Sequence, residues 1–337
     1  MVDARIKDQK LKAIVSALCG YYGLPPSKLS SFYYALPTIS YLEHGGYYAK
    51  GRSQKISDAF VNYIEEHGGK VILNSKVEEI LTKDHSAYGV KIDDGKEFRG
   101  KVVISNANAH DTFHKMLKEE EHLKDYLANM DKLSVSLSCF QIFLGLNKDL
   151  IGELGIKDTE IFYSPGYDPE NDFKLAHDAN VEEGGYGMML YDNLYKGFSP
   201  EDKNTLNILA LQGYDHWEKF EKDYFSGNKD EYRKEKNRMA DVLIKKVEET
   251  LLPGLTSAIE IKEIGTPLTN LRYTGNYRGA IYGFDQTLNN SGNTRFPHNT
   301  PVKNLYLSGA WTKPGHGYGG VIPSGLECFG EIMKNWD

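Results

Sequence analysis

Apolar positions recur at helical spacing over residues 3–19, where Ile6, Leu11, Ile14, Val15 and Leu18 share one face. An amphipathic helix is expected there, stopped by Gly20 and by Gly23-Leu-Pro-Pro26. Ser30 to Tyr48 is dense in aromatics and reads either as one wall of a ligand cleft or as plain core packing. Ser53 then stands where a cap belongs, before a helix carrying Ile56, Ala59, Phe60, Tyr63 and Ile64 on one side and closed by Gly68-Gly69. Short apolar runs follow. Lys70–Asn74 reads as a strand, Val77, Ile80 and Leu81 begin another, and Tyr88–Gly95 and Phe98 continue an antiparallel set. Val102–Asn106 is a buried strand. A parallel sheet with a small β-meander as its crossover would give this order.

Residues 109–130 predict one or two charged helices, with Lys118-Glu-Glu-Glu-His122 as a solvated face. Val135–Leu146 is a long strand, and Thr159–Ser164, Tyr186–Asp192 and Leu206–Gln212 are three more. Asn228–Leu252 is the longest helical pattern, with Met239, Leu243 and Val247 at helical spacing and Pro253-Gly254 as its stop. Ile259–Ile264 reads as a strand, and Thr266-Pro267 as the cap and first turn of a helix reaching Tyr273. Leu305 and Leu307 mark a last buried strand. A loop with Gly315, Gly317, Gly319 and Gly320 follows it, then a helix over Val321–Met333. Helices and strands alternate throughout, so the fold class expected is α/β. It would combine an α+β domain with a partial Rossmann-like domain that has a parallel sheet and a β-meander crossover.

The glycine-rich loop carries the candidate chemistry. Glycine lets a backbone come within hydrogen-bonding distance of a ligand, and a helix start behind it offers free N–H groups to an electron-rich one. Gly315-x-Gly317-x-x-Gly320 matches the dinucleotide fingerprint literally, but too few residues follow Gly320 for the βαβ unit that fingerprint needs. On spacing alone, a turn without a ligand fits equally well.

Composition narrows the classes. With 337 residues, two domains are expected, or one large domain with an insertion. A net charge of −7 and the lack of a polybasic stretch give no support to nucleic-acid binding. No apolar run has membrane-spanning length, the first residues are charged where a signal peptide would be apolar, and Cys19, Cys139 and Cys328 have no metal-ligand spacing. The cysteines are expected to be buried reduced thiols of a cytoplasmic protein. The 23 tyrosines and 14 phenylalanines suit a large apolar cleft or a Tyr-rich surface. No nucleophile elbow, Walker loop, zinc-protease motif or Cys-x-x-Cys is present, so if the chain is an enzyme its chemistry is more easily carried by a cofactor than by side chains. Among the histidines, His316 inside the glycine-rich loop is the functional candidate, whereas His114 and His122 read as surface residues.

The segment Leu305-Tyr-Leu-Ser-Gly-Ala-Trp-Thr-Lys-Pro-Gly-His-Gly-Tyr-Gly-Gly-Val-Ile-Pro-Ser-Gly325 resembles the flavin segment of the phytoene desaturase, carotenoid isomerase and retinol saturase family. Gly45-Gly-Tyr-Tyr-Ala-Lys-Gly51, the stretch from His67 to Ile80, Val102–Ala107 and Tyr21–Ser27 are similar to further segments of it. The resemblance implies an FAD-dependent oxidoreductase of the amine-oxidase-like superfamily, exchanging hydride between the flavin and an apolar polyene or isoprenoid lipid. It implies that backbone groups of Gly317, Gly319, Gly320, Val321 and Ile322 lie along the flavin ring. Gly309, Ala310 and Trp311 would lie nearer its ribityl and diphosphate part, and Val77 at the adenine. Residues 45–108 and 290–337 would form a partial FAD-binding domain, and 1–44 and 109–289 the substrate domain.

Three departures stand out. Ala310 occupies a position where the family commonly has an acidic residue, Arg52 follows Gly51 where a second glycine is usual, and the opening strand with its Gly-x-Gly-x-x-Gly is missing. The chain is therefore expected to lack roughly the first third of the family, with a partner chain completing the FAD site. Contact with a membrane surface would suit the collection of a lipid. No catalytic base is assigned: Tyr277, Tyr282 and Tyr318 fall near expected cleft segments, as packing or as chemistry. The alternative is a non-catalytic apolar-ligand-binding remnant without FAD, favoured by Ala310 and the missing diphosphate site and opposed by the retained glycine loop. A third option is an amine oxidase.

Overall fold

A computed structural model describes residues 2–118 and 121–336. Contacts group the chain into two compact units, Met1–Leu29 with Leu133–Thr287, and Ser30–Lys132 with Leu288–Asp337. The described residues hold ten strands in chain order: β1 (Val77–Lys83), β2 (Ser86–Ile92), β3 (Glu97–Arg99), β4 (Val103–Ser105) and β5 (Ser138–Leu146). The remainder are β6 (Glu160–Tyr163), β7 (Tyr186–Met189), β8 (Asn204–Gln212), β9 (Ile259–Gly265) and β10 (Leu305–Leu307). Parallel and antiparallel pairing coexist with helices, which is the α/β class expected.

The first unit is built on a five-stranded antiparallel sheet in the order β6-β7-β8-β5-β9. Strict alternation in β8, and near-alternation in β5, explain its two faces. Phe140, Ile142, Leu144, Leu206 and Ile208 point into one core with Met239, Leu243 and Val247 of the long helix Asp230–Thr250. Within that core the indole of Trp217 donates to Gln212 Oε1 at 2.8 Å, so the buried polar groups pair with each other. The opposite face carries Phe143, Phe162 and Ile261, each about half exposed or more. Thr266 caps the helix Pro267–Thr274 with a reciprocal capping box.

The second unit contains the antiparallel meander β1-β2-β3 and a parallel pair, β4 with β10. Leu305 pairs with Val103, Tyr306 with Ile104, and Leu307 with Ser105. The helix Tyr318–Lys334 buries Gly320, Ser324, Cys328 and Ile332, a stripe at four-residue spacing, and Cys328 and Ile332 pack with Tyr306.

Several expectations are corrected. The helix expected over 3–19 is confined to Gln9–Val15, because Asp8 Oδ1 accepts the Leu11 N–H at 2.9 Å and fixes the start; a 3-10 turn over Ala17–Tyr22 follows. Ser53 does not cap Gln54–Glu66 with its hydroxyl, since it already has helical φ/ψ, whereas a capping residue sits in the extended region. The aromatic stretch contains a helix, Ser31–His44, despite Pro37 inside it. Lys70–Asn74 forms no strand: no ladder partner flanks it among the described residues, and Ile72 and Leu73 are 52% and 76% exposed. The final helix begins at Tyr318, three residues before Val321. Of the charged run, Glu119 and Glu120 lie outside the described residues. Cys19, Cys139 and Cys328 are buried free thiols. Among the described residues, no helix is long and apolar enough to cross a membrane.

Candidate functional site

β10 delivers the chain into the loop 308–317, and the Tyr318–Lys334 helix carries it away. Gly309 makes the first turn possible. Its φ is +98°, and a Cβ there would meet Asn106 Oδ1 at 2.2 Å. Its N–H donates to Ser324 Oγ at 2.8 Å, fastening the loop to the helix it precedes. Beyond it, Trp311 is buried and its ring stands edge-on to His110 at 5.9 Å between centroids.

Arg295 organises the loop from beneath. It is 1% exposed, and its guanidinium donates to the carbonyls of Ala310 at 2.7 Å, Thr312 at 3.2 Å and Asn290 at 3.4 Å. The Thr312 hydroxyl donates to the Phe296 carbonyl at 2.7 Å. His298 bonds the Leu307 carbonyl through Nδ1 at 2.9 Å and approaches Glu327 through Nε2 at 3.4 Å. These side chains turn the loop's carbonyls inward, away from its open side.

The open side is glycine. Gly317 has φ +74° and is exposed, and so is Gly319; a Cβ built on either has nothing within 4 Å. Gly320 is buried, and a Cβ on it would stand 2.6 Å from the Gly315 carbonyl oxygen. Gly317 precedes the helix as its N-cap residue, so no side chain caps the first N–H groups. A flat electron-rich ring could approach this start closely, and the N–H groups and helix dipole would favour negative charge placed there. The residues therefore fit a flavin edge.

His316 is buried inside the same loop, with its carbonyl accepting from the Tyr33 hydroxyl at 3.3 Å. Burial, reinforced by the Arg295 charge, pushes the imidazole down to about 3 from 6.5. The unfolded chain takes up this proton near pH 6.5, while the folded chain resists it until about pH 3. Stability is thus present above 6.5 and is lost as pH falls through that window, by up to about 1.4 kcal/mol per pH unit. Urea midpoints measured across it should fall less steeply for His316→Gln than for the unaltered chain; parallel profiles would exclude His316 as the titrating group.

The expected site residues are distributed as follows. Gly309, Ala310, Trp311, Gly317, Gly319, Gly320, Val321 and Ile322 all lie on the loop and the first turns of one helix. Val77 opens β1 in the meander, a separate sheet, paired with Ile92. Tyr318 starts the helix and is 58% exposed. In the other unit, Tyr282 gives its hydroxyl to the Tyr21 carbonyl at 2.9 Å, a packing role, and Tyr277 lies in a 3-10 turn. Sequence reasoning missed Arg295, Ser324 and Asn106, whose importance depends on which backbone groups they meet.

The fold is that of a group of oxidoreductases of known structure. The chain resembles an oxidoreductase from Methanosarcina mazei with a TM-score of 0.63 at 16% identity, over 98% of this chain and 66% of that one. It resembles putrescine oxidase with a TM-score of 0.52 at 14% identity, over 84% and 53%. The chain belongs to the flavin containing amine oxidoreductase family, whose model matches residues 1–332. FAD, the cofactor implied by the sequence resemblance, agrees with that membership. Curated relatives include all-trans-retinol 13,14-reductase of Danio rerio, 27% identical over 99% of this chain and 57% of the relative. Prolycopene isomerase of Daucus carota is 28% identical over 96% and 50%. Phytoene desaturase (neurosporene-forming) of Rhodobacter capsulatus is 28% identical over 95% and 60%. The chain thus spans 50–60% of the length of these relatives.

Proposed function

We propose that this chain supplies the flavin-ring half of an FAD site and the substrate domain of an oxidoreductase acting on an apolar polyene or isoprenoid lipid. The observation that carries the reading is the uncapped helix start at Tyr318, reached through glycines that leave open space on the loop's outer side. Gly317, Gly319, Gly320, Val321 and Ile322 would face the ring through backbone groups, Gly309 to Trp311 would lie towards the ribityl chain, and Val77 would meet the adenine. When bound, the flavin supplies hydride exchange with a substrate carbon. The chain's own contribution is to orient the ring, to stabilise negative charge at its edge and to keep water out. An apolar substrate is supported by the second face of the five-stranded sheet, where Phe143, Phe162 and Ile261 present hydrocarbon. The names of the retinol reductase, prolycopene isomerase and phytoene desaturase relatives favour the same substrate class.

The reading includes a further polypeptide segment, on this chain or a partner, that completes the cofactor site. Among the described residues Lys70–Asn74 has no ladder partner, Ile104 of β4 is 49% exposed, and the 318–334 helix shows a second apolar stripe at Ile322, Leu326, Phe329 and Met333. Gln54–Glu66 likewise leaves Phe60 and Tyr63 exposed along an open groove that Ile56 and Ala59 also line, and Ile64 exposed beside them in sequence. Apolar faces of this kind belong against another element, and an added parallel strand would supply one.

The test is the visible absorbance of the purified chain after addition and removal of FAD. It is done once alone and once after co-expression with a segment carrying a strand and a Gly-x-Gly-x-x-Gly turn. Retained flavin that rises with the added segment is the expected result. No retention in either preparation overturns the cofactor reading, and equal retention in both overturns the need for a completing segment.

A further inference from the structure

His110, His114 and Asp131 bring three ligand atoms within 4.8 Å of one another in the second unit; none of the three is assigned to the flavin, although the His110 ring stands edge-on to Trp311. The two histidines are four residues apart on the helix Ala109–His114, so both rings lie on one face, and the rings stack at 6.1 Å between centroids. Asp131 follows the helix Lys124–Met130 and turns its Oδ1 to both rings, at 2.9 Å from His114 Nε2 and 3.6 Å from His110 Nδ1.

We propose that these three side chains bind a divalent first-row transition cation, with Zn2+ as the representative ion. Two nitrogen ligands and one oxygen are the donor set such ions favour, whereas Mg2+ and Ca2+ prefer oxygen throughout. In a tetrahedral zinc site, ligand atoms about 2.1 Å from the metal lie about 3.4 Å apart. The observed 2.9 Å and 3.6 Å bracket that spacing, so an ion would enter with small rotations of the three side chains. Water would complete the coordination.

The scaffold is fixed before any ion arrives. Asn108 caps the histidine-bearing helix by accepting the Asp111 N–H at 2.8 Å, and Ala109, Thr112 and Phe113 are buried on its other sides. Phe113 meets Tyr126 of the following helix edge-on at 5.0 Å, and Met130, the residue before Asp131, is fully buried. The cation would therefore join two helices already held at the right distance, and little conformational entropy would be lost on binding. Its effect would be to staple residues 109–131 together.

Zn2+ and Co2+ titration of the full chain, by calorimetry and visible absorbance, tests the proposal. One equivalent is expected to bind with a rise in Tm, and Co2+ should give a d–d band. His114→Ala and Asp131→Asn should each weaken that equivalent at least about tenfold. His114 and Asp131 are partly exposed, so both variants should keep the metal-free Tm; Mg2+ should bind nowhere near as well, and His122→Ala should bind Zn2+ like the unaltered chain. Absence of Zn2+ uptake, or uptake undiminished in His114→Ala and Asp131→Asn, overturns the site. Both readouts are taken on the flavin-free chain, so neither requires flavin to bind.

Discussion

Arg295→Met is expected to lower stability by about 3–5 kcal/mol. The guanidinium is buried and gives charge-assisted bonds to the carbonyls of Ala310, Thr312 and Asn290. Such bonds contribute about 1.5–3 kcal/mol each. Methionine fills most of the volume but donates nothing, so these oxygens lose a donor in a place with limited access to water. Lysine would restore the charge but not the planar fork that reaches several carbonyls at once, so Arg295→Lys should recover only part of the loss. Urea denaturation compares the three chains. The His316 titration followed by NMR gives an independent readout: without the Arg295 charge its pKa should rise, although burial still holds it below 6.5. A methionine variant as stable as the unaltered chain would mean that the loop keeps its shape without this scaffold.

How far the sequence revealed the fold depended on whether a signal was local. The strand expected over Leu206–Gln212, the helix over Asn228–Leu252 and the cap at Thr266-Pro267 are each set by neighbours in the chain, and they appear as Asn204–Gln212, Asp230–Thr250 and the capped helix Pro267–Thr274. Lys70–Asn74 fails for the opposite reason. Its apolar run satisfies the strand pattern, but a strand also requires a neighbour to bond, and the described residues provide none. Ser53 shows the same limit on a smaller scale: the residue type suits a cap, while the backbone around Arg52, with φ +74°, carries Ser53 into helical geometry before its hydroxyl can act. The aromatic density of Ser30 to Tyr48 points to packing or a cleft wall and carries no element assignment, so the Ser31–His44 helix goes unread. At the loop, the glycine spacing leaves a ligand-free turn equally open, and the resemblance of the whole segment to a flavin segment is what singles it out. Arg295 could not be singled out, because nothing near Asn290–Phe296 in sequence announces that the loop 310–312 will fold over it.

Gly319→Ala and Gly320→Ala, neighbours on one helix, are expected to fail in opposite ways. A methyl on Gly320 would stand 2.6 Å from the Gly315 oxygen and 2.8 Å from its carbonyl carbon, both backbone atoms that cannot swing aside. The loop must then shift, and stability should drop by about 1–3 kcal/mol, with flavin retention falling as a consequence. A methyl on Gly319 meets nothing within 4 Å. Alanine is the better helix former, so without cofactor this variant should be unchanged or more stable by up to about 1 kcal/mol. Its deficit should appear only when flavin is present, because the proposed ring approaches through that open space. The comparison is made by urea midpoints without FAD and by bound flavin per chain after loading, in whichever preparation retains the cofactor. Stability lost in Gly320→Ala alone, with flavin lost in both, is the pattern that supports a ring lying against the helix start. Full flavin retention by a stable Gly319→Ala would move the ring elsewhere, since a methyl group in the path of a backbone-to-ring contact cannot be neutral.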